Sequence, residues 1–303
     1  MKYIITGGTG LIGSALSRAL LAENDQVFAL SRSPERARVP DGVTVLPWDG
    51  RSADGWWEQA EGADGIVNLA GESIGAALWS QAQKQRILSS RQNAGAAVVD
   101  AVRRVNRKPA VVVQISGVGY YGIHGDQMIT ENDPPGQDFL AKVAIEWENA
   151  TRPVEDMGVR RVVLRSGVVL EKDSGVLPRM MLPFNLFVGG PLGTGRQWVS
   201  WIHLADQVRG LVFALKNQSA RGVYNLTSPE PVTNADFGKA LGRVMRRPYW
   251  IPAPGFALKL ALGEMSTLVL DGQRVIPQRI QAEGFEFRYP HLPIALTDLL
   301  ASV

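Results

Sequence analysis

The chain contains no cysteine among its 303 residues. That excludes a disulfide framework, thiolate-ligated zinc, an iron–sulfur cluster and a thiol nucleophile. Histidine is scarce too. His124, His203 and His291 are the only three, scattered and without HExxH spacing, so no metal site is expected. Charge of either sign is in small excess: 32 Lys and Arg stand against 29 Asp and Glu, a net charge of +3. The densest basic pieces are Arg103-Arg104 with Arg107-Lys108, and Arg243 with Arg246-Arg247. They fall near expected helix ends, where cations meet free carbonyls, so nucleic acid is not an expected partner. Uncharged apolar runs of about 18 residues are absent, so no membrane span and no membrane partner are expected. The best candidate, Met180–Leu192, is short and broken by Asn185, two glycines and two prolines. The N-terminal MKYIITGG enters a strand pattern with no signal core, and a cytoplasmic location is expected.

What is present is an ordinary globular composition, 45% hydrophobic and 20% charged. The first half alternates strand and helix. Expected strands lie at 3–6, 27–31, 43–48, 65–69, 110–116 and 161–164, with helices after the first and around 79–104 and 139–157. Near-continuous apolar strands alternating with helices predict a parallel sheet covered on both faces, a doubly wound α/β fold of Rossmann type. The rhythm loosens after residue 165. Residues 1–169 with about 201–226 are expected to form the dinucleotide-binding domain. Residues 170–200 and 227–303 are expected to form a smaller C-terminal α/β lobe on the substrate side.

The most informative motif is Gly7-Gly8-Thr9-Gly10-Leu11-Ile12-Gly13, which follows a strand and opens a helix. Gly7 permits a tight turn, Gly10 lets backbone approach a pyrophosphate, and Gly13 lets the helix pack closely. The N–H groups at the helix start, at Thr9, Leu11 and Ile12, hold the phosphates. The second strand ends Leu30-Ser31-Arg32-Ser33. An acid after that strand would bind the ribose 2′-hydroxyl of NAD. Ser31 and Arg32 suit a 2′-phosphate, so NADP(H) is expected over NAD(H), with a solvated surface arginine as the alternative. Asp49 follows the third strand and is placed to reach an adenine amino group; a surface-turn aspartate explains it equally well. Leu69-Ala70-Gly71 ends the fourth strand with small residues against which a cofactor ribose can lie.

Together these residues resemble the extended short-chain dehydrogenase/reductase superfamily, the NAD-dependent epimerase/dehydratase group. Within it the chain resembles a poorly characterised branch with its own C-terminal domain of unknown function. The marks run along almost the whole chain: Gly7–Gly13, Val67–Glu72, Lys84–Arg91, Ser116–Gly122, Phe139–Glu148, Leu164–Leu170, Trp201–His203 and Asp271–Pro277. The resemblance implies a nucleotide cofactor, with Ser166 on its side, and a catalytic Ser, Tyr and Lys. Ser116 fits the serine. The Tyr-x-x-x-Lys pair is missing, because Phe139 and Val143 occupy its positions and Lys142 is one residue off. Phe139 has no proton to give, so acid–base chemistry must run elsewhere.

Tyr120, Tyr121 and Glu72 are the candidates for that role, against core packing for the tyrosines and helix capping for the glutamate. Lys84 and Arg91, seven apart on one helix face, together with Trp201, Gln273 and Arg274, are candidates for the substrate side. His203 reads as structural. The expected function is an NADP(H)-dependent oxidoreductase or epimerase on a small polar, nucleotide-sugar-like substrate, tilted toward simple reduction. The alternative is an NADP(H)-binding redox sensor without catalysis. A small molecule is the expected partner of a monomer or homodimer.

Overall fold

The computed structural model describes residues 1–301. Seven parallel strands form the central sheet: β1 (Lys2–Thr6), β2 (Gln26–Ser31), β3 (Thr44–Pro47), β4 (Gly65–Asn68), β5 (Val111–Gly117), β6 (Arg160–Ser166) and β7 (Gly222–Leu226). Their order is β3-β2-β1-β4-β5-β6-β7. The order reverses between β1 and β4, which pair through Tyr3↔Gly65 to Thr6↔Asn68. In such sheets the carboxyl ends of the two strands at the reversal open a crevice.

The helices are α1 (Leu11–Leu21), α2 (Gln81–Arg104), α3 (Phe139–Ala150), α4 (Leu177–Asn185), α5 (Leu204–Lys216), α6 (Asn234–Met245), α7 (Gly255–Leu262), α8 (Thr267–Leu270), α9 (Gln278–Ala282) and α10 (Leu292–Leu300). Leu16 and Leu20 of α1 meet Leu211 and Leu215 of α5 over one face of the sheet. Ala94, Ala97, Val98, Ala101 and Val102 of α2 cover the other, with Trp48 and Trp56. Each fully buried large apolar side chain of this kind contributes about 1.5–3 kcal/mol. A Cβ on Gly95 would lie 2.4 Å from Ala150 Cβ, so that glycine sets the close approach of α2 and α3.

A third core belongs to the C-terminal lobe, where α4, α6 and α10 pack through Phe184, Phe237, Leu241, Leu296 and Leu299 around Trp201. A short strand pair joins the lobe to the sheet domain, Arg274–Val275 beside Met128–Ile129; two others, Val168–Leu170 beside Trp201–His203 and Trp198–Val199 beside Val232–Thr233, lie at the base of the lobe and within it.

Two helix boundaries shift from the sequence reading. The helix expected around 79–104 starts at Gln81, where Ser80 Oγ accepts the N–H of Gln83 at 3.2 Å. The helix expected to 157 ends at Ala150. Pro153 has no N–H to continue it, and the chain tightens into a 3-10 turn over Arg152–Met157. The first part of the apolar segment Met180–Leu192 belongs to α4, which carries Pro183 within it.

Candidate functional site

The crevice is built from the ends of β1, β4 and β5. Gly7 leaves β1 at φ +67°, and a Cβ there would stand 3.1 Å from Ala70 N. A Cβ on Gly13 would stand 2.5 Å from Gly7 O and 2.6 Å from Gly8 Cα. The turn therefore admits no side chain at either position. Gly10 caps α1 in extended conformation, and no side chain accepts a hydrogen bond at this helix start. The first N–H groups of α1 thus remain available to an anion, with the helix dipole behind them.

A buried polar ladder fixes the far wall. The Thr6 hydroxyl donates to Asn68 Oδ1 at 2.6 Å and accepts the N–H groups of Leu69 and Ala70, each at 3.2 Å. Asn68 Nδ2 donates to Gln114 Oε1 at 2.8 Å. All three side chains are fully buried, so the Leu69–Gly71 backbone is held rigidly against the glycine turn.

At the end of β2, Ser31 Oγ accepts the N–H of Ser33 at 3.2 Å. Arg32 is exposed, and its stem passes over Gly50, where a Cβ would meet Arg32 Cδ at 3.5 Å. Among the described residues the guanidinium has no carboxylate partner. Asp49 Oδ1 accepts the N–H groups of Ser52 at 2.8 Å and Arg51 at 2.7 Å, and those bonds hold its carboxyl below the usual range. Asp49 therefore organises the turn after β3.

Ser116 ends β5. Its hydroxyl is buried and has no hydrogen-bond partner. Buried polar groups are nearly always paired, so an orphaned hydroxyl at a strand-end crevice points to a missing ligand. Glu72 is half-buried; its N–H donates to Ser90 Oγ at 2.9 Å, and its carboxylate accepts no hydrogen bond among the described residues. Tyr120 is likewise half-buried, and among the described residues none bonds its hydroxyl. Ser166 Oγ donates to Gln207 Oε1 at 2.7 Å.

The structure turns three expected site residues away from a ligand. Tyr121 is fully buried; its hydroxyl donates to Asn225 Oδ1 at 2.6 Å and accepts from Arg165 Nη1 at 3.0 Å. Burial pushes that phenol up to about 12, and with its proton committed to Asn225 and its oxygen to Arg165 the hydroxyl is structural. Arg91 is buried, stacked 4.5 Å over Trp147, with Nη1 donating to the carbonyls of Glu72 and Ile87 at 2.9 Å each. Burial lowers it to about 10, so it remains a cation that braces the loop after β4. Trp201 is fully buried, with its indole donating to Glu230 O at 3.0 Å in the lobe core.

Other expected residues lie where the lobe meets the sheet domain. Lys84 stands 5.1 Å over the Phe139 ring and pairs with Glu264 of the lobe. Phe139 also packs edge-on against Trp79, with centroids 4.9 Å apart. The α3 position that the resemblance assigns to a catalytic tyrosine is thus an apolar contact under an ion pair. Gln273 Nε2 donates to Val118 O at 2.9 Å, which ties the lobe to the end of β5. Arg274 stacks 4.5 Å over Trp198 and keeps a buried Nε without a partner. His203 accepts the Ala205 N–H at the start of α5 and stacks 3.9 Å on Tyr289. Among the described residues no cluster of metal-ligating side chains occurs.

Sequence reasoning missed the charged core beneath the crevice. Arg165 on β6 binds Glu148 of α3 with both arms, Nε to Oε1 at 2.8 Å and Nη2 to Oε2 at 2.9 Å. Its guanidinium lies 3.2 Å from the centre of the Tyr120 ring. Burial alone would lower its proton affinity, yet the two-armed bond to Glu148 outweighs this and holds it above the ordinary value. The available signal was an arginine inside an apolar strand, Leu164-Arg165, which demands a buried counter-ion that only the fold can name.

The fold and crevice define a dinucleotide-binding doubly wound domain carrying a second lobe. The family model of the NAD dependent epimerase/dehydratase family matches residues 3–227, and that of a domain of unknown function matches 253–299. The chain belongs to the NAD dependent epimerase/dehydratase family. It is 41% identical to an epimerase family protein of Staphylococcus saprophyticus over 98% of this chain and 99% of that protein. It is 40% identical to the chloroplastic epimerase family protein SDR39U1 homolog of Arabidopsis thaliana, over 99% of this chain and 87% of the relative. Its structure superposes on that of human epimerase family protein SDR39U1 with NADPH at a TM-score of 0.88, with 32% identity and full coverage of both chains.

Proposed function

We propose that the protein is an NADP(H)-dependent oxidoreductase or epimerase acting on a small polar substrate without the Tyr-x-x-x-Lys pair. The buried, unpartnered Ser116 hydroxyl carries the reading: it ends β5 in the same crevice that the glycine turn lines. The residues present fit a dinucleotide. The side-chain-free turn at Gly7 and Gly13, the uncapped start of α1 and the unpaired Arg32 provide for a pyrophosphate and a 2′-phosphate. The human relative solved with NADPH supports the same preference. When bound, the nicotinamide supplies or accepts the hydride. Ser116 orients the substrate oxygen by hydrogen bonding. Glu72 or Tyr120, whose polar ends are uncommitted, moves the proton. Reduction asks for less acid–base help than epimerisation, so the absent pair favours a reductase.

The packing of Phe139 against Trp79 and Lys84 favours a second reading, a binding protein that senses the nucleotide without turning it over. Calorimetric titration with NADPH and NADH, followed by a metabolite screen for NADPH oxidation, separates the two. Tighter NADPH binding with oxidation by one metabolite supports the enzyme. NADPH binding that no metabolite discharges supports the sensor. Equal or tighter NADH binding overturns the cofactor assignment.

A further inference from the structure

The lobe also displays an apolar and basic surface that the reading above does not use. The segments 182–188 and 250–260 expose Leu182, Leu186, Phe187, Trp250, Phe256 and Leu260. Trp250 is 67% exposed, Phe256 77% and Leu260 88%. The helix α7, Gly-Phe-Ala-Leu-Lys-Leu-Ala-Leu, has no buried residue at all. The two segments are physically joined. The Trp250 indole donates to Phe187 O at 2.8 Å, and the N–H groups of Trp250 and Ile251 bond Gly189 O at 2.8 and 3.1 Å.

Beside this ridge lies a cavity of about 400 Å³ lined by Lys239, Arg243, Arg246, Arg247 and Tyr249. No carboxylate lines it. The nearby Asp236 is engaged by Thr233 Oγ1 at 2.8 Å and Lys239 Nζ at 3.3 Å. Arg247 links cavity to ridge by stacking 4.5 Å from the Phe187 ring centre. Two polar atoms here, Arg247 Nε and Tyr249 Oη, are buried without partners.

The backbone adds a separate observation. Among the described residues only Asn24, Phe187 and Arg246 are non-glycines at positive φ. Asparagine tolerates that region; phenylalanine and arginine do so at a cost. Phe187 at +60° and Arg246 at +55° are both on this surface. Both close a helix: the Val188 N–H bonds Pro183 O after α4 and the Arg247 N–H bonds Gly242 O after α6, each at 2.8 Å, so the two turns present their side chains from fixed backbone.

We propose that this face docks on an anionic phospholipid bilayer, with lipid phosphates at the Lys239–Arg247 cavity and the Phe187–Trp250–α7 ridge among the acyl chains. A bilayer is favoured over a second copy because two such faces would bring the same four cations together. A ridge as exposed as Leu260 also matches a deformable apolar medium better than a preformed groove. Aromatic and aliphatic residues beside basic ones are the composition of interfacial binding, which needs no membrane-spanning helix.

The test is sedimentation of the purified full-length chain with vesicles of phosphatidylcholine alone or mixed with phosphatidylglycerol. Binding is expected only with phosphatidylglycerol and is expected to weaken with salt. The double variant Arg243→Ala with Arg246→Ala is expected to weaken it roughly thirtyfold, at about fivefold per arginine. Trp250→Ser is expected to reduce binding severalfold, with Tm and NADPH affinity unchanged in both variants. Equal binding to neutral vesicles, or no binding to either, overturns the proposal. So does a concentration-dependent dimer abolished by Trp250→Ser in the absence of lipid binding.

Discussion

The two halves of the crevice are built by opposite means. The nucleotide half is made by subtraction: at Gly7 and Gly13 a single methyl group would collide with backbone, and the start of α1 has no side-chain cap. The half at β5 and α3 is made by addition. There Arg165, Glu148, Tyr121 and Asn225 satisfy one another, and Phe139 sits between Trp79 and Lys84. Subtraction leaves backbone groups for a ligand. Addition uses side chains up in the protein itself and leaves only a few uncommitted, chiefly those of Ser116, Glu72 and Tyr120. An inventory of polar residues near the β5 end therefore overstates its chemistry, since Tyr121 and Arg91 are structural.

The sharpest way to break this contrast is Glu148→Gln. It strands the Arg165 cation in the core, and a loss of about 3–5 kcal/mol is expected from denaturant unfolding. A loss below about 1 kcal/mol would show that the pair is solvated and the half less closed than described. Gly13→Ala tests the other half. Overpacking against Gly7 O and Gly8 is expected to cost about 1–3 kcal/mol and to weaken NADPH binding. Unchanged binding would mean that the turn does not depend on the absence of a side chain.

Arg32→Ala is expected to leave folding intact and lower NADPH affinity about 10- to 100-fold, the worth of charge-assisted hydrogen bonds to a phosphate. NADH affinity should stay constant, and a parallel loss of both would place Arg32 away from the 2′-phosphate. Ser116→Ala removes a hydroxyl that bonds nothing in the protein, so stability should change by less than about 0.5 kcal/mol. Turnover of a substrate found by screening should fall on the order of 100-fold. A large fall in Tm would make Ser116 a core residue rather than a ligand-facing one.

The smallest effect concerns His203. Burial lowers its proton affinity below the ordinary value of 6.5, against the opposing pull of Asp298 and Asp206. The unfolded chain therefore binds this proton more readily than the folded one. The stability that the neutral imidazole contributes is complete above about 6.5 and declines as pH falls toward the lower folded value. A Tm decrease of a few degrees between about pH 7 and pH 5 is expected, flattened by His203→Asn. An unchanged slope in that variant would assign the pH dependence to other groups.

Legibility followed the same division. Gly7, Gly10 and Gly13 could be read because a strand–turn–helix unit is local, and its physics is contained in a few consecutive residues. The alternation of the first strands and helices, and with it a parallel sheet, followed from apolar runs separated by helical periodicity; the strand order came from the structure. Arg165 and Glu148 are seventeen positions apart and belong to different elements, so no pattern in either segment announces their bond. Arg91 looked like a free cation on a helix face until Trp147 of α3 covered it. Likewise, Leu182 and Phe187 lie in the apolar segment Met180–Leu192, and only the fold shows that both stay exposed.

By itself, then, the sequence determined the class of the protein: a cysteine-free α/β chain of the epimerase/dehydratase family, with a glycine-rich turn after β1 and an arginine after β2. Those features depend on residue identity and short spacing. The tertiary structure alone decided which polar groups remain free. Burial and pairing are properties of elements brought together from distant parts of the chain, and a side chain is available to a ligand only when no neighbour has already claimed it.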